Sequence, residues 1–125
     1  MLAEGLIRLG VITQNLDEAL DMKSGQLKDW YMHNTSHWIG LDVHDVGVYL
    51  PDGKPRLLES GMCLTVEPGL YFGAWRPDVV CPERYANIGI RIEDDILVTY
   101  DGPVVLTDKC PKTIDEILHI VGSTV

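Results

Sequence analysis

The sequence predicts an α+β fold in which an antiparallel sheet is flanked by helices. Apolar residues recur at helical spacing near both ends of the chain. Between these ends lie short segments in which apolar and polar residues alternate, as they do in half-buried strands. The dipeptides Asp94-Asp95 and Asp101-Gly102 separate the last of these segments and are typical of turns. Helices at the two ends and strands between them are therefore expected.

Two helices are predicted before residue 26. The apolar face of the first consists of Leu2, Leu6 and Leu9. Gly10 is a stop signal for this helix. Asn15 is then the predicted N-cap of a second helix, because Glu18 follows three residues later and completes a capping box. This second helix is expected to end near Ser24-Gly25.

The predicted sheet lies in the second half of the chain. Met62–Glu67 is its first strand, and Tyr71–Ala86 is predicted to be a long loop because it contains two prolines and scattered polar residues. Ile88–Glu93 shows the cleanest alternation in the sequence. Together with Ile96–Tyr100 and Val104–Leu106, this segment is predicted to form a three-stranded antiparallel meander.

The remaining local signals are a surface turn and a closing helix. Pro51–Pro55 combines proline, aspartate and glycine, which is turn chemistry. Pro111 precedes apolar residues at helical spacing, which predict an amphipathic helix. Those residues are Ile114, Ile117, Leu118 and Val121.

Composition restricts the class of partner and the compartment. The 125 residues are expected to form one domain, or part of a larger one, and carry a formal net charge of -9. This acidity argues against nucleic acid or an anionic membrane surface as the main partner. No apolar run approaches the ~20 residues of a membrane span, and the first residues lack the basic region of a secretory signal. The odd, widely spaced Cys63, Cys81 and Cys110 are typical of reduced thiols, so we expect a cytoplasmic protein.

Three of the four histidines lie close together, at His33, His37 and His44. The spacing of the first two would suit two ligands on one helical turn, but no glutamate follows His33, so this is not the HExxH motif of metalloproteases. Gly40 and neighbouring β-branched residues also argue against a helix. The cluster alone is compatible either with a metal or catalytic role or with buried histidines that satisfy their own hydrogen bonds.

Two glutamates end predicted strands. Strand alternation puts Glu67 on the same face as Thr65, and Glu93 on the same face as Arg91. Locally, a solvent-facing strand end explains the first glutamate and an exposed sheet face explains the second. One histidine and two glutamates from separate elements are, however, a typical ligand set for Mn²⁺, Fe²⁺, Co²⁺ or Zn²⁺. Two carboxylates brought together on an inner sheet face repel each other unless a cation lies between them.

Three blocks of the sequence closely resemble bacterial Xaa-Pro aminopeptidases, also called aminopeptidase P. The blocks are Tyr31–Gly47, Gly61–Tyr71 and Ile88–Asp95, in that order. The Glu83-Arg84-Tyr85 segment also looks more like aminopeptidase P than like prolidase. The resemblance implies the pita-bread fold, which these metallopeptidases share with prolidase and methionine aminopeptidase. It further implies that residues 1–125 are the C-terminal portion, or C-terminal half, of the catalytic domain.

The resemblance also implies roles for individual residues. The residues in metal-ligand positions are His37, Glu67 and Glu93. Glu93 would bridge two metal ions, and Glu67 would relay a proton to the leaving amine. His33 and His44 match histidines that position the substrate and stabilise the tetrahedral intermediate. Arg91 matches an arginine beside the bridging glutamate.

The implied reaction is the release of an N-terminal residue from peptides with proline at the second position, by hydroxide attack at a dinuclear centre that usually holds two Mn²⁺ ions. The other two ligands of the family are aspartates on upstream strands. Asp17, Asp21 and Asp29 match no such motif, so the upstream half with these ligands is absent. We therefore expect this chain to hold at most one ion, weakly, and to have little activity alone.

Two further expectations concern partners and alternative functions. Half of a pita-bread fold leaves an apolar edge uncovered, which predicts a homo-oligomer, disorder at the N-terminal side, or aggregation. A prolidase, which cleaves Xaa-Pro dipeptides, differs from an aminopeptidase P in the length of its substrate. A non-catalytic pita-bread binding module is the remaining alternative, and the retained ligand residues argue against it.

Overall fold

The structure is a computed structural model of the chain, and it describes residues 1–73 and 78–122. The α-helices of the described residues are α1 (Leu2–Arg8), α2 (Leu16–Ala19), α3 (Leu27–Trp30) and α4 (Ile114–Ile120). The strands are β1 (Cys63–Val66), β2 (Gly69–Phe72), β3 (Ile88–Arg91), β4 (Asp94–Thr99) and β5 (Gly102–Val105). The predicted α+β composition, with antiparallel pairing, is confirmed.

The chain divides into two compact units. The first unit consists of Met1–Asn34 and Pro68–Arg91. The second consists of Thr35–Glu67 and Ile92–Val125, of which residues 123–125 are not described.

The N-terminal helices of the first unit follow their sequence signals. Gly10 adopts a φ of 70°, the left-handed conformation that ends helices, and its N–H donates to the carbonyl of Ile7 at 2.9 Å. Asn15 caps α2, and its side chain accepts from the N–H of Glu18 while the Glu18 carboxylate reaches back. The predicted capping box is thus confirmed. However, α2 ends at Ala19, well before the predicted Ser24-Gly25.

Aromatic packing forms the core of the first unit. The buried apolar residues of this core are Leu6, Ile12, Ala19, Trp30 and Phe72. The rings of Trp30 and Phe72 pack with centroids 5.1 Å apart, and Tyr85 lies 5.3 Å from Phe72 on the same measure. These contacts hold α3 against β2.

The pairing of β2 with β3 corrects two predictions. Leu70 pairs with Ile90 and Phe72 with Ile88, so the start of the predicted loop Tyr71–Ala86 is in fact strand. The reason is packing, because Phe72 anchors β2 in the aromatic core. Residues 74–77 of the predicted loop lie outside the described residues. The second correction is that the predicted strand Ile88–Glu93 is shortened to β3, Ile88–Arg91, which belongs to this two-stranded sheet and not to a meander.

The second unit contains a three-stranded antiparallel sheet in the order β1-β4-β5. The predicted hairpin around Asp101-Gly102 is confirmed, because Thr99 pairs with Gly102 across it. The other neighbour of β4 is β1, with Val66 opposite Asp94. The predicted meander is therefore wrong in its first strand.

Asp94 and Asp95 were expected in a turn but begin β4. The Asp94 carboxylate can lie in a strand because Lys112 and Thr107 both donate hydrogen bonds to Oδ1, at 2.5 and 2.7 Å. The Lys112 ammonium first, and the Thr107 hydroxyl second, lower the pKa of the Asp94 carboxyl below its ordinary value. The same ion pair raises the pKa of Lys112.

The predicted closing helix is confirmed as α4. Thr113 is its N-cap and forms a capping box with Glu116, which lowers the pKa of the Glu116 carboxyl. The apolar residues of α4 are exposed in this chain, including Leu118 at 68%.

Pro51–Gly53 forms the predicted surface turn, as a short 3-10 helix. Cys63, Cys81 and Cys110 are unpaired, as predicted. None of the described helices has the length and apolar character needed to cross a bilayer.

Candidate metal centre

Strand register brings the two glutamates together. Val66 of β1 pairs with Asp94 of β4. In an antiparallel pair, the residue that follows one partner lies beside the residue that precedes the other. Glu67 follows Val66 and Glu93 precedes Asp94, so the two carboxylates leave the sheet at the same end. Glu93 was predicted to end a strand, but β3 ends at Arg91, so Glu93 lies in the two-residue connection between β3 and β4.

His37 reaches the same place from the other side of β1. The segment around it runs antiparallel to β1 through hydrogen bonds from the N–H groups of Thr65 and Glu67 to the carbonyls of His37 and Thr35, at 3.0 and 2.8 Å. Trp38 forms an isolated bridge to Leu64 in the same register. This pairing holds the histidine beside the strand that carries Glu67.

The three side chains therefore converge within the second unit. One potential ligand atom from each of His37, Glu67 and Glu93 lies within 4.8 Å of the others. Nε2 of His37 lies 3.2 Å from Oε1 of Glu67. Glu67 is buried, at 7% exposure, whereas Glu93 is exposed. A buried carboxylate requires hydrogen bonds or a cation, so this glutamate is not the solvent-facing strand end that local reasoning favoured.

Burial in the second unit is concentrated at this site. Thr65, at 1% exposure, and Glu67 are the buried residues among those described in the unit. On β1 the polar face is therefore the inner one, while Val66 on the opposite face is 40% exposed. The predicted alternation of apolar and polar residues is correct. In an ordinary half-buried strand the apolar face points inward, whereas here the polar face does.

The donor set suits a divalent cation. Nδ1 of His37 lies 3.1 Å from the carbonyl of Trp38, and a carbonyl only accepts, so the proton belongs on Nδ1. Nε2, which lies 3.2 Å from Oε1 of Glu67, then carries the lone pair that can bind a cation. One imidazole nitrogen and two carboxylates are ligands for Mn²⁺, Fe²⁺, Co²⁺ or Zn²⁺. The residues present thus fit a metal ion.

His44 lies against the candidate centre. Its ring packs edge-to-face on His37, with centroids 4.4 Å apart and planes at 88°. The side chain of His44 is exposed. It can therefore reach a molecule that approaches His37 from solvent.

His33 and Arg91 belong to the first unit. His33 faces the carbonyl of Asn34 through Nδ1 at 2.7 Å and the hydroxyl of Tyr71 through Nε2 at 2.9 Å. Its proton therefore belongs on Nδ1, and the Tyr71 hydroxyl donates to Nε2. Arg91 is the exposed last residue of β3. The structure thus brings together His37, Glu67, Glu93 and His44, and describes His33 and Arg91 within the other unit.

Sequence reasoning missed two residues that contact the predicted site residues. The Thr65 hydroxyl donates to Oε1 of Glu67 at 2.9 Å, and Tyr71 hydrogen-bonds His33. The contact of Thr65 could have been predicted, because strand alternation places Thr65 on the same face as Glu67. No local pattern indicated the second, because His33 and Tyr71 are 38 positions apart in the sequence.

The chain belongs to metallopeptidase family M24, which matches residues 2–100. Membership of this family implies the use of a divalent metal. The chain is 48% identical to the Xaa-Pro aminopeptidase of Escherichia coli strain K12 over 117 residues, which cover 94% of this chain and 25% of that protein. The resemblance predicted from the three sequence blocks is confirmed.

Solved structures give the same result. Aminopeptidase PepP of Pseudomonas aeruginosa superposes with a TM-score of 0.82 at 45% identity, over 93% of this chain and 25% of that one. Zinc-substituted E. coli aminopeptidase P in complex with product gives 0.79 at 49% identity, over 92% and 25%. These matches confirm the predicted fold class, an α+β part of the pita-bread fold. The chain spans about a quarter of the length of the curated relatives it matches.

Proposed function

We propose that this chain carries part of the metal centre of an Xaa-Pro aminopeptidase. The observation that carries the proposal is the convergence of His37, Glu67 and Glu93 in one unit. The E. coli relative at 48% identity is an Xaa-Pro aminopeptidase, which favours peptides with proline at the second position as substrates.

In this proposal His37, Glu67 and Glu93 would hold the metal, and Mn²⁺ is the ion expected for the dinuclear centre of the complete site. Divalent ions, when bound, acidify water and polarise the peptide carbonyl. Glu67 would accept a proton and pass it to the leaving amine, because its carboxylate is buried beside Nε2 of His37 and accepts a hydrogen bond from the neutral Thr65 hydroxyl at Oε1.

The remaining site residues bind and orient the peptide. His44 is exposed beside His37, which suits a hydrogen bond to the substrate carbonyl region. His33 is held in one tautomer by the Asn34 carbonyl and Tyr71, which suits a fixed contact to the peptide. Arg91 is assigned to orient Glu93, on the strength of the sequence resemblance alone.

We further propose that residues 1–125 are the C-terminal portion of a catalytic domain whose other part contributes two aspartate ligands. The chain spans about a quarter of its relatives, which supports this division. On its own the chain is then expected to bind one ion weakly and to hydrolyse Xaa-Pro peptides little or not at all.

We also propose that the protein is cytoplasmic and forms a homo-oligomer. Three unpaired cysteines suit the reducing cytoplasm. Exposed apolar residues on β3 and α4, such as Ile90 and Leu118, suit a homo-oligomer. Light scattering across a concentration series tests the second point, because a monomer at all concentrations would contradict it.

The coding DNA upstream of Met1 tests the domain assignment. We expect an in-frame extension with two aspartates on neighbouring predicted strands, and a stop codon immediately upstream would contradict it. The encoded protein, loaded with Mn²⁺, is then assayed on an Xaa-Pro-Xaa tripeptide, an Xaa-Pro dipeptide and an Xaa-Ala-Xaa tripeptide.

Release of the first residue from the Xaa-Pro tripeptide alone is the expected result. Glu93→Ala should abolish it, whereas Glu59→Ala, at an exposed position of the same unit, should not. Cleavage restricted to the dipeptide would instead identify a prolidase. Metal binding without cleavage of any peptide would identify a non-catalytic binding module.

A further inference from the structure

A single buried hydroxyl links the backbone of His37 to the carboxylate of Glu67. Thr65 is 1% exposed, and its Oγ1 accepts the backbone N–H of His37 at 3.0 Å. The same hydroxyl donates to Oε1 of Glu67 at 2.9 Å. A hydroxyl has one proton to donate and two lone pairs, so these two hydrogen bonds are compatible with each other.

We propose that Thr65 is a positioning residue of the metal centre, which holds His37 and Glu67 in the arrangement that binds the ion. This inference rests on the proposed function, because it assumes that these two residues are ligands. Thr65 itself contacts neither metal nor substrate in the proposal and acts through its two neighbours.

The backbone around His37 supports this role. The N–H of Thr65 donates to the carbonyl of His37 at 3.0 Å, as in a regular antiparallel pair. Regular pairing would return the His37 N–H to the backbone carbonyl of residue 65. Here the N–H donates to the side chain of Thr65 instead. The position of the histidine backbone therefore depends on the hydroxyl, and a side chain without one leaves this N–H without its acceptor.

The carboxylate of Glu67 depends on the same group. Its Oε1 accepts the Thr65 proton and lies 3.2 Å from Nε2 of His37. A donor fixed at a buried position of β1 restricts the rotation of the carboxylate before any ion arrives. Ligands that are ordered in advance lose less conformational freedom on binding, so the affinity for the ion increases. Partners that orient metal ligands typically contribute 10–100-fold in affinity.

The test is the affinity of the 125-residue chain for Zn²⁺ and Mn²⁺, measured by calorimetry on two matched pairs at one position. Thr65→Val replaces the hydroxyl by a methyl group of similar size. Thr65→Ser and Thr65→Ala differ from each other only by the hydroxyl. If the valine variant does not fold, this second pair still measures how much the hydroxyl contributes to the affinity for the ion. Circular dichroism and urea unfolding without metal report the fold and stability of each variant.

We expect Thr65→Val and Thr65→Ala to weaken binding by about 10–100-fold, with Thr65→Ser close to the wild type. Thr99→Val is the control, because it removes another hydroxyl of the same sheet, one that donates to the carbonyl of Gly102. It should lower stability and leave the affinity unchanged, which separates positioning from a general loss of stability.

Two outcomes overturn the role of Thr65 alone: unchanged affinity in folded Thr65→Val or Thr65→Ala, or a serine variant that binds as weakly as alanine. A further outcome, a wild-type chain that binds neither ion, overturns the proposed metal centre and this role with it. The two failures are therefore distinguishable.

Discussion

Nε2 of His37 lies 3.2 Å from Oε1 of Glu67, and the two side chains are only 18% and 10% exposed. The Nδ1 proton is committed to the Trp38 carbonyl, so Nε2 and Oε1 present lone pairs to each other. Two such atoms stay together if a proton or a cation lies between them. The nearby carboxylate of Glu93 favours a cation, because a second negative charge attracts a metal ion more strongly than one carboxylate does.

The tautomer of His37 is a direct consequence of this geometry. At alkaline pH, where a free imidazole is neutral, we expect the proton on Nδ1, because the Trp38 carbonyl accepts it. Nitrogen-15 NMR of histidine-labelled chain distinguishes the two tautomers. Addition of diamagnetic Zn²⁺ should move the Nε2 signal of His37 most, with His119, on exposed α4, as the internal control. A proton on Nε2 would contradict the assignment.

Gly47 is required by the packing of Trp38. A Cβ at this position would lie 2.4 Å from Cδ1 and 2.7 Å from Nε1 of that indole, which stacks on Tyr49. Gly47→Ala must displace the indole, and overpacking of this kind costs about 1–3 kcal/mol. The free energy of unfolding in urea measures the effect.

The matched control is Gly5→Ala in α1, where a Cβ meets nothing within 4 Å. This change should be neutral or stabilise the chain by roughly 0.5–1 kcal/mol, because alanine loses less conformational freedom in a helix. Equal effects of the two alanine substitutions would contradict the packing explanation.

The Asp94–Lys112 ion pair should make stability depend on pH in the acid range. The pKa of Asp94 is lowered in the folded chain, first by Lys112 and then by Thr107. The ionised carboxylate therefore stabilises the fold above its unfolded pKa of about 3.9, and the contribution is lost as the pH falls through the folded value. Asp94→Asn should flatten the acid limb of the stability curve below about pH 4.

Lys112→Met should flatten the limb in the same direction but less, because it removes the largest cause of the shift and leaves the Thr107 hydrogen bond. Urea unfolding between neutral and acid pH measures both variants. An acid limb as steep in both as in the wild type would show that the pair does not form in solution.

The capping box at α2 should contribute measurably although the helix is short. Asn15→Ala removes the acceptor for the N–H of Glu18, and loss of such a cap typically costs about 1 kcal/mol. Asn15→Asp keeps an acceptor and should retain most of the stability. Chemical unfolding separates the two, and an aspartate variant as unstable as alanine would contradict the capping role.

Local sequence signals predicted the elements better than their pairing. The capping box at Asn15, the left-handed Gly10 and the hairpin at Asp101-Gly102 each depend on neighbouring residues, so the sequence was sufficient for them. The partner of β3 was predicted wrongly, because β2 is set by the packing of Phe72 on Trp30, a contact between distant segments.

The candidate site shows the same division. Alternation placed Glu67 and Thr65 on one face of β1, but hydrophobicity suggested that this face was the outer one. Whether the polar face of a strand points inward depends on the segment that packs beside the strand, which here is the segment of His37. The local sequence of β1 does not identify that segment. Family resemblance supplied the assignment that local reasoning did not.

The most direct test of the metal centre is the titration of the 125-residue chain with Mn²⁺, followed by calorimetry and by the electron paramagnetic resonance signal of free Mn²⁺. Glu93→Ala removes one converging carboxylate. The control Glu59→Ala removes an exposed carboxylate of the same unit and changes the net charge by the same amount. We expect the wild type and Glu59→Ala to bind one ion with similar affinity. Glu93→Ala should bind at least about tenfold more weakly, because loss of a residue that only orients a metal ligand already costs ~10–100-fold in affinity. Equal affinity in all three proteins would contradict the assignment of His37, Glu67 and Glu93 as the metal site.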